Sequence, residues 1–251
     1  MALYGSPVWA DALRKRSVAL LRGPQRVVAQ RAVRAYRTVS YEAACLLVGF
    51  LPWDLDAKTL SDTFHWREGA FNRGQSLAPK EVEAMKASLR QAAVEEWRLR
   101  LEAPSAGLRT VAAVRPVFAE WLDRRHGVAT FRLTQVLTGH GCFGEYLCQI
   151  VGVEESAVCH HCDNCPRDTA QHTLESCPAW DEERSALFSV VGEDLSLPAV
   201  IASMVGSREA WRAVAHFCEV VLSQKESAER DREREDPSRR QRRRRRRRVD
   251  D

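Results

Sequence analysis

The residues best suited to chemistry sit close together: Cys159-His160-His161-Cys162, then nine residues, His172, four more, and Cys177. Two cysteines at a two-residue gap can bring both sulfurs onto one ion across a tight turn, and a distant His/Cys pair completes a tetrahedron. The spacing therefore predicts Zn2+ held by Cys159, Cys162, His172 and Cys177. Four protein donors leave no position for water, so the expected site is a structural clip rather than a hydrolytic centre. His160, His161 and Cys165 lie within reach of the same ion, and Cys162 with Cys165 repeats the two-residue gap. Asp163-Asn164 and Pro166 read as a turn beyond the first ligand pair, which favours Cys159 with Cys162. Thr169 to Leu174 reads as a helical turn presenting His172, ended at Cys177-Pro178.

Other reactive constellations are missing from the sequence. There is no phosphate-binding glycine loop before Lys-Ser/Thr and no His-Glu-x-x-His helix. Adjacent aspartates of the sort that hold two metals in a polymerase occur only at Asp250-Asp251. Three thiolates and a neutral imidazole would leave a zinc centre at net minus one. Around it Glu154, Glu155, Asp163, Asp168 and Glu175 are set against Arg167 alone. Phosphate is a poor partner for such a surface, so the cluster reads first as a clip between helices and second as an RNA contact.

Charge is concentrated at the two ends. Residues 226–251 hold 12 arginines against 8 acids, leaving the other 225 residues balanced at 26 each way. Residues 1–40 carry Arg14, Lys15, Arg16, Arg22, Arg26, Arg31, Arg34 and Arg37 against Asp11. Eight cysteines could mean disulfides, but four of them fall within nineteen residues beside three histidines, which in a reducing compartment favours metal. No secretory signal is visible, so the expected setting is intracellular. The longest apolar run, residues 43–53, is too short for a bilayer, which needs about 20 residues.

The elements that must carry these groups are expected to be mainly α. Residues 12–36 read as helical with a break at Gly23-Pro24, proline suiting the first turn of a second helix. Val28, Ala32, Ala35 and Val39 would form its buried stripe, with Arg26, Arg34 and Arg37 on another face, either meeting phosphate or merely solvated. Further helices are expected over 41–49 behind Ser40, over 81–101 and over 115–125, where Val117, Phe118, Trp121 and Leu122 recur at helical spacing. Residues 127–137 are ambiguous, and Gly139-His140-Gly141 reads as a turn whose histidine makes a local hydrogen bond. Residues 181–190, 198–205 and 208–224 complete the helical set. Beyond Lys225 apolar residues almost vanish, which predicts a disordered, Arg-rich tail, with a helical stretch near Ala228 as the alternative, carrying Arg242, Arg243, Arg244, Arg245, Arg246, Arg247 and Arg248.

Four segments in order resemble a known family: Ala2-Leu3-Tyr4-Gly5-Ser6-Pro7-Val8-Trp9-Ala10, Arg34-Ala35-Tyr36-Arg37-Thr38-Val39-Ser40, Leu137-Thr138-Gly139-His140-Gly141-Cys142-Phe143-Gly144-Glu145-Tyr146-Leu147, and the Cys-Cys-His-Cys cluster. Across roughly residues 1–190 the chain is similar to the region downstream of the polymerase palm in non-LTR retrotransposon Pol proteins, especially type-1 elements that insert into ribosomal DNA. The resemblance implies a thumb-like helical region over 1–126, a zinc-knuckle region over 127–190, C-terminal helices over 191–225 and a charged tail over 226–251. It implies a fragment in which Met1 is internal, taken from an RNA-directed DNA polymerase that also carries an endonuclease. Mg2+ would serve only that intact parent, and none of the parent's catalytic residues transfers to a position here. Expected partners are RNA, RNA/DNA or DNA duplex and the remainder of the polyprotein, with action in the nucleus. Arg26, Arg34, Arg37 and the arginine run are the expected nucleic-acid contacts. The alternatives are a free-standing zinc-knuckle nucleic-acid-binding protein and an inactive remnant.

Overall fold

In the computed structural model residues 3–163, 165–236, 238, 239, 241 and 242 are described. Among them the chain is mainly helical and contains no strand. It divides into two units, one from Met1–Ala32 with Ser40–Val111, the other from Val33–Val39 with Ala112–Asp251.

In the first unit α1 (Ser6–Trp9) precedes α2 (Lys15–Ala32), which runs unbroken through Gly23 and Pro24. The expected break does not form, because proline removes one N–H and the ladder continues on either side of it. The buried face of α2 is Gln25, Ala29 and Gln30, whereas Val28 is exposed, so the predicted stripe is displaced by one position. A polar residue explains the shift. Gln25 is wholly buried; its Nε2 donates to the Leu51 carbonyl at 2.8 Å while its Oε1 accepts from the Tyr41 hydroxyl and the Trp53 amide, each at 2.8 Å. Hydropathy does not mark a residue that is core by virtue of three satisfied hydrogen bonds.

Helix α3 (Tyr41–Val48) starts as expected at Ser40, whose hydroxyl accepts from the Ala43 amide, and ends at Gly49 in the left-handed conformation. Helix α4 (Trp53–Asn72) receives the Gln25 cap at its first residue. It is joined to α5 (Pro79–Arg100) by an ion pair of 2.6 Å between Arg100 and the buried Asp54. Helix α6 (Leu108–Val114) carries the chain into the second unit.

The second unit is organised around one long helix. Helices α7 (Phe118–Asp123), α8 (Phe131–Thr138), α9 (Ala170–Glu175), α10 (Asp181–Val191) and α11 (Leu197–Gly206) lead to α12 (Arg208–Glu235). Helix α12 packs on α8, α10 and α11, burying Trp211, Val214, Phe217, Cys218, Val221 and Leu222. This face recurs at three- and four-residue steps, as a helix against a core requires. Residues 226–235, which composition assigned to a disordered tail with helix only as an alternative near Ala228, continue the helix. Burial of Lys225 and the pairing of Glu226 with Arg132 at 2.7 Å anchor the turn where apolar residues run out. Arg132 also reaches Glu219 at 2.7 Å, and Gln135 donates to Glu226 at 2.8 Å, so α8 and α12 are joined along a polar seam.

His140 differs from the local turn histidine expected. Its Nδ1 lies 2.9 Å from the Thr38 hydroxyl, which also meets the Tyr146 hydroxyl at 2.8 Å. Tyr36 lies against both Phe131 and Tyr146. The segment Val33–Val39 is thereby fixed into the second unit by contacts about a hundred residues distant in sequence.

Candidate metal centre

The cluster is built from a loop and a short helix. The loop closes on itself through two backbone bonds, Asp168 N–H to the Ala157 carbonyl at 2.7 Å and Cys159 N–H to the Cys165 carbonyl at 3.0 Å. Gly144 lies beneath it so closely that a Cβ would stand 2.7 Å from the Val158 carbonyl oxygen and 2.8 Å from that of Ala157. Helix α9 is capped by Thr169, whose hydroxyl accepts from the His172 amide. At its end the amides of Ser176 and Cys177 both return to the His172 carbonyl, at 3.0 and 2.8 Å, folding Cys177 back toward the imidazole.

The result is convergence of one donor atom each from Cys159, Cys162, His172 and Cys177, all within 4.8 Å of one another. The Cys159 and Cys177 sulfurs are 3.9 Å apart, and the Cys162 sulfur is 3.4 Å from His172 Nε2. A tetrahedral ion bound at about 2.3 Å from sulfur and about 2.0 Å from nitrogen would place its donors roughly 3.5–3.8 Å apart. These two separations lie close to that range, and 3.9 Å is far too long for a disulfide. All eight cysteines are free. The imidazole is oriented as a ligand needs: Nδ1 is 3.1 Å from the Ser176 hydroxyl, which in turn donates to the His172 carbonyl, so a proton on Nδ1 would leave Nε2 free to face the sulfurs. The His161 amide points at the Cys159 sulfur at 3.4 Å.

Burial sets the protonation of the cluster. It pushes the Cys159 thiol up to about 12 and raises that of Cys177, and it lowers His172, keeping the imidazole neutral. Desolvation alone thus favours the protonated thiol at Cys159 and Cys177, and a cation beside them would reverse that preference. The donor set fits a metal ion such as zinc.

The neighbours that sequence left open fall outside the set. Cys165 Sγ donates to the Arg167 carbonyl at 3.3 Å, His160 Nε2 lies 3.4 Å from Glu154, and His161 packs on Trp180 with its pKa lowered by burial to about 4.

Three residues that support the centre were missed. Asp168, counted from sequence as surface charge, is 3% exposed; both its oxygens accept from Lys225 Nζ, at 3.0 and 2.9 Å, and it also accepts from the Gly144 amide at 2.9 Å and from the Thr173 hydroxyl. Lys225 is 1% exposed. Arg184, also buried, donates to the carbonyls of Leu174 at 3.1 Å and Cys177 at 2.7 Å, holding the end of α9 against α10. The available signal was placement: Arg184 is three residues before Leu187, and Lys225 three after Leu222, each on an apolar face.

The acidic surroundings also require correction. Glu145 pairs with Arg167, Glu154 with Arg239 and, at 3.8 Å, with Arg232, and Glu155 with Arg242 at 2.8 Å. Arginines from the C-terminal end of the chain, not Arg167 alone, balance this surface.

The expected nucleic-acid residues do not share one helix. Arg26 lies half-buried on α2 in the first unit, while Arg34 and Arg37 lie exposed in the second unit, past the end of α2. The helix stops because the Val33 carbonyl is taken by the Thr134 hydroxyl at 2.7 Å and Arg34 turns to a positive φ of 55°. Arg242 pairs with Glu155 and Asp236, and Arg243, Arg244, Arg245, Arg246, Arg247 and Arg248 lie outside the described residues. Among the described residues no helix is long and apolar enough to cross a membrane.

Sequence similarity defines the class: the chain is a part-length relative of the Pol polyproteins of type-1 retrotransposable elements. The particular relatives are of the R1 type. Over 205 residues it is 31% identical to the Pol polyprotein from type-1 retrotransposable element R1 4 of Nasonia vitripennis, covering 78% of this chain and 50% of that one. It is 30% identical over 192 residues to the R1 Pol polyprotein of Bradysia coprophila, covering 72% of this chain and 18% of that one. It is 26% identical over 231 residues to a 115 kDa protein in the R1DM element of Drosophila melanogaster, covering 89% and 22%. The chain therefore spans half or less of the length of these relatives. No protein-family model matches it, and no solved structure matches it.

Proposed function

We propose that the chain is the C-terminal part of an RNA-directed DNA polymerase polyprotein, in which it supports template and primer binding during target-primed insertion and contributes no catalytic residue. The parent would carry endonuclease and polymerase domains, use Mg2+ there, and act in the nucleus. Here Cys159, Cys162, His172 and Cys177 hold one structural Zn2+, and Asp168, Lys225 and Arg184 tie the zinc loop to α12 and α10. Arg26, Arg34, Arg37 and the arginines from Arg242 onward meet RNA or RNA/DNA duplex. The observation that carries this reading is the convergence of four donors within 4.8 Å of one another in a relative of Pol polyproteins.

The test is a salt titration of RNA and hybrid-duplex binding for wild type, Cys177→Ser, a charge reversal at Arg26, Arg34 and Arg37, and a deletion of residues 239–248. Zinc should be present at one equivalent in wild type and lost in Cys177→Ser. The deletion and the reversal should each flatten log affinity against log salt, by about 0.7 per lost single-strand contact and about 0.9 per duplex contact. A zinc-free wild type, or one that binds neither nucleic acid, overturns the proposal.

A further inference from the structure

A second basic site, lined by none of the expected contact residues, lies in the same unit as the metal centre. Between the loop after α7 and the first two turns of α12 is an open cleft of about 440 Å³. Arg125 and His126 line it from the loop, and Arg208, Trp211 and Arg212 from the helix. Positions 208, 211, 212 and 215 follow the steps that put residues on one helical face, and all four border the cleft. Glu209, the acid within this first turn, does not line it.

The cleft is held in shape. Gly127 sits at a φ of 81°, where a Cβ would come within 2.2 Å of the Trp211 ring, so the loop can only rest on the indole as glycine. The indole Nε1 donates to the Val128 carbonyl at 3.3 Å, and His126 Nε2 lies 2.9 Å from the Met204 carbonyl, fixing the loop at two points. Trp211 is 3% exposed and forms the floor rather than a stacking surface. Arg125, Arg208 and Arg212 are exposed, and among the described residues none forms a salt bridge. This contrasts with Arg100, Arg132, Arg184, Arg239 and Arg242, each paired with a carboxylate in its own chain.

Three guanidinium groups without carboxylate partners, presented from two elements locked together around a concave surface, suit a ligand with several singly charged oxygens in series. We infer that this cleft binds the phosphodiester backbone of a nucleic-acid strand, independently of base identity. The inference rests on the proposed nucleic-acid role and assigns it a site that the sequence did not indicate.

The experiment compares wild type with the triple variants Arg125→Gln/Arg208→Gln/Arg212→Gln and Arg125→Lys/Arg208→Lys/Arg212→Lys. RNA and duplex DNA binding are titrated against salt, with zinc content and thermal midpoint as controls for folding. The glutamine triple should lower the salt slope by about 2 for a single strand and nearly 3 for duplex, and weaken binding on the order of 100-fold at 0.1 M salt. The lysine triple should retain most of the slope, and inorganic polyphosphate should compete where polyglutamate does not. A glutamine triple that binds like wild type overturns the site while leaving the proposed function standing. Equal loss in the folded lysine triple, or equal competition by polyglutamate, also overturns phosphate recognition. A wild type that binds no nucleic acid overturns the broader function and this site with it.

Discussion

Replacing Lys225 by Met tests how the metal centre is tied to the helical core. The substitution keeps an unbranched apolar stem but removes the ammonium that lies 3.0 and 2.9 Å from the two Asp168 oxygens. Both side chains are nearly inaccessible, at 1% and 4% exposure, so water cannot replace the lost partner. Removing one member of a buried pair costs about 3–5 kcal/mol. The Gly144 amide and Thr173 hydroxyl still reach Asp168, which puts the expected cost near the lower end, about 3 kcal/mol. In a unit of this size each kcal/mol lowers the midpoint by roughly 2–4 °C, so a fall of about 6–12 °C is expected in zinc-saturated protein followed by circular dichroism. Asp168 lies between the candidate ligands Cys162 and His172, so zinc release to a chromogenic chelator should also quicken. Adding Asp168→Asn to Lys225→Met removes the orphaned charge while keeping an acceptor for Gly144, and should recover most of the loss. A shift below about 2 °C in the single variant, or a double variant no better than the single, would refute the argument that an uncompensated buried carboxylate is the cause.

Cys162→Ser should abolish stoichiometric zinc binding while Cys165→Ser retains it, measured by atomic emission after dialysis; the reverse pattern would move the ligand set by three residues. Gly144→Ala should destabilise the second unit by about 1–3 kcal/mol, because the added methyl meets two backbone carbonyls that cannot rotate away, and urea unfolding would read it. Purified chain should give no Mg2+-dependent primer extension on an RNA template, and extension that survives purification would contradict a non-catalytic role.

The Cys3His cluster was legible because metal chemistry demands particular side chains at short, fixed separations, a constraint that sequence alone displays. The ends of α3 were equally plain, since Ser40 and Gly49 are residues that caps select. Helix α4 was not anticipated: its buried positions include Asp54, Ser61 and Thr63, while Leu60 and Phe64 are exposed, so no apolar stripe announces it. Arg34 and Arg37 were placed on a helix that stops short of them because the stop depends on Thr134, a hundred residues away. Lys225 and Asp168 were judged by residue type, yet a mutual hydrogen-bonded pair makes both of them core.

The pairing of Glu154 and Glu155 with Arg232, Arg239 and Arg242 has a thermodynamic consequence. An arginine already neutralised by a carboxylate of its own chain does not add a full charge when it meets phosphate; it exchanges one anion for another. The displaced carboxylate must then recruit a cation from solution, which offsets the cation released from the nucleic acid. Arg239 and Arg242 would therefore contribute less to the salt slope than their number suggests, and disruption of their internal pairs by Glu154→Gln/Glu155→Gln would make nucleic-acid binding tighter and more salt-sensitive. The acids beside the metal centre would in this way act as an internal counterion reservoir, setting how strongly the C-terminal arginines respond to ionic strength.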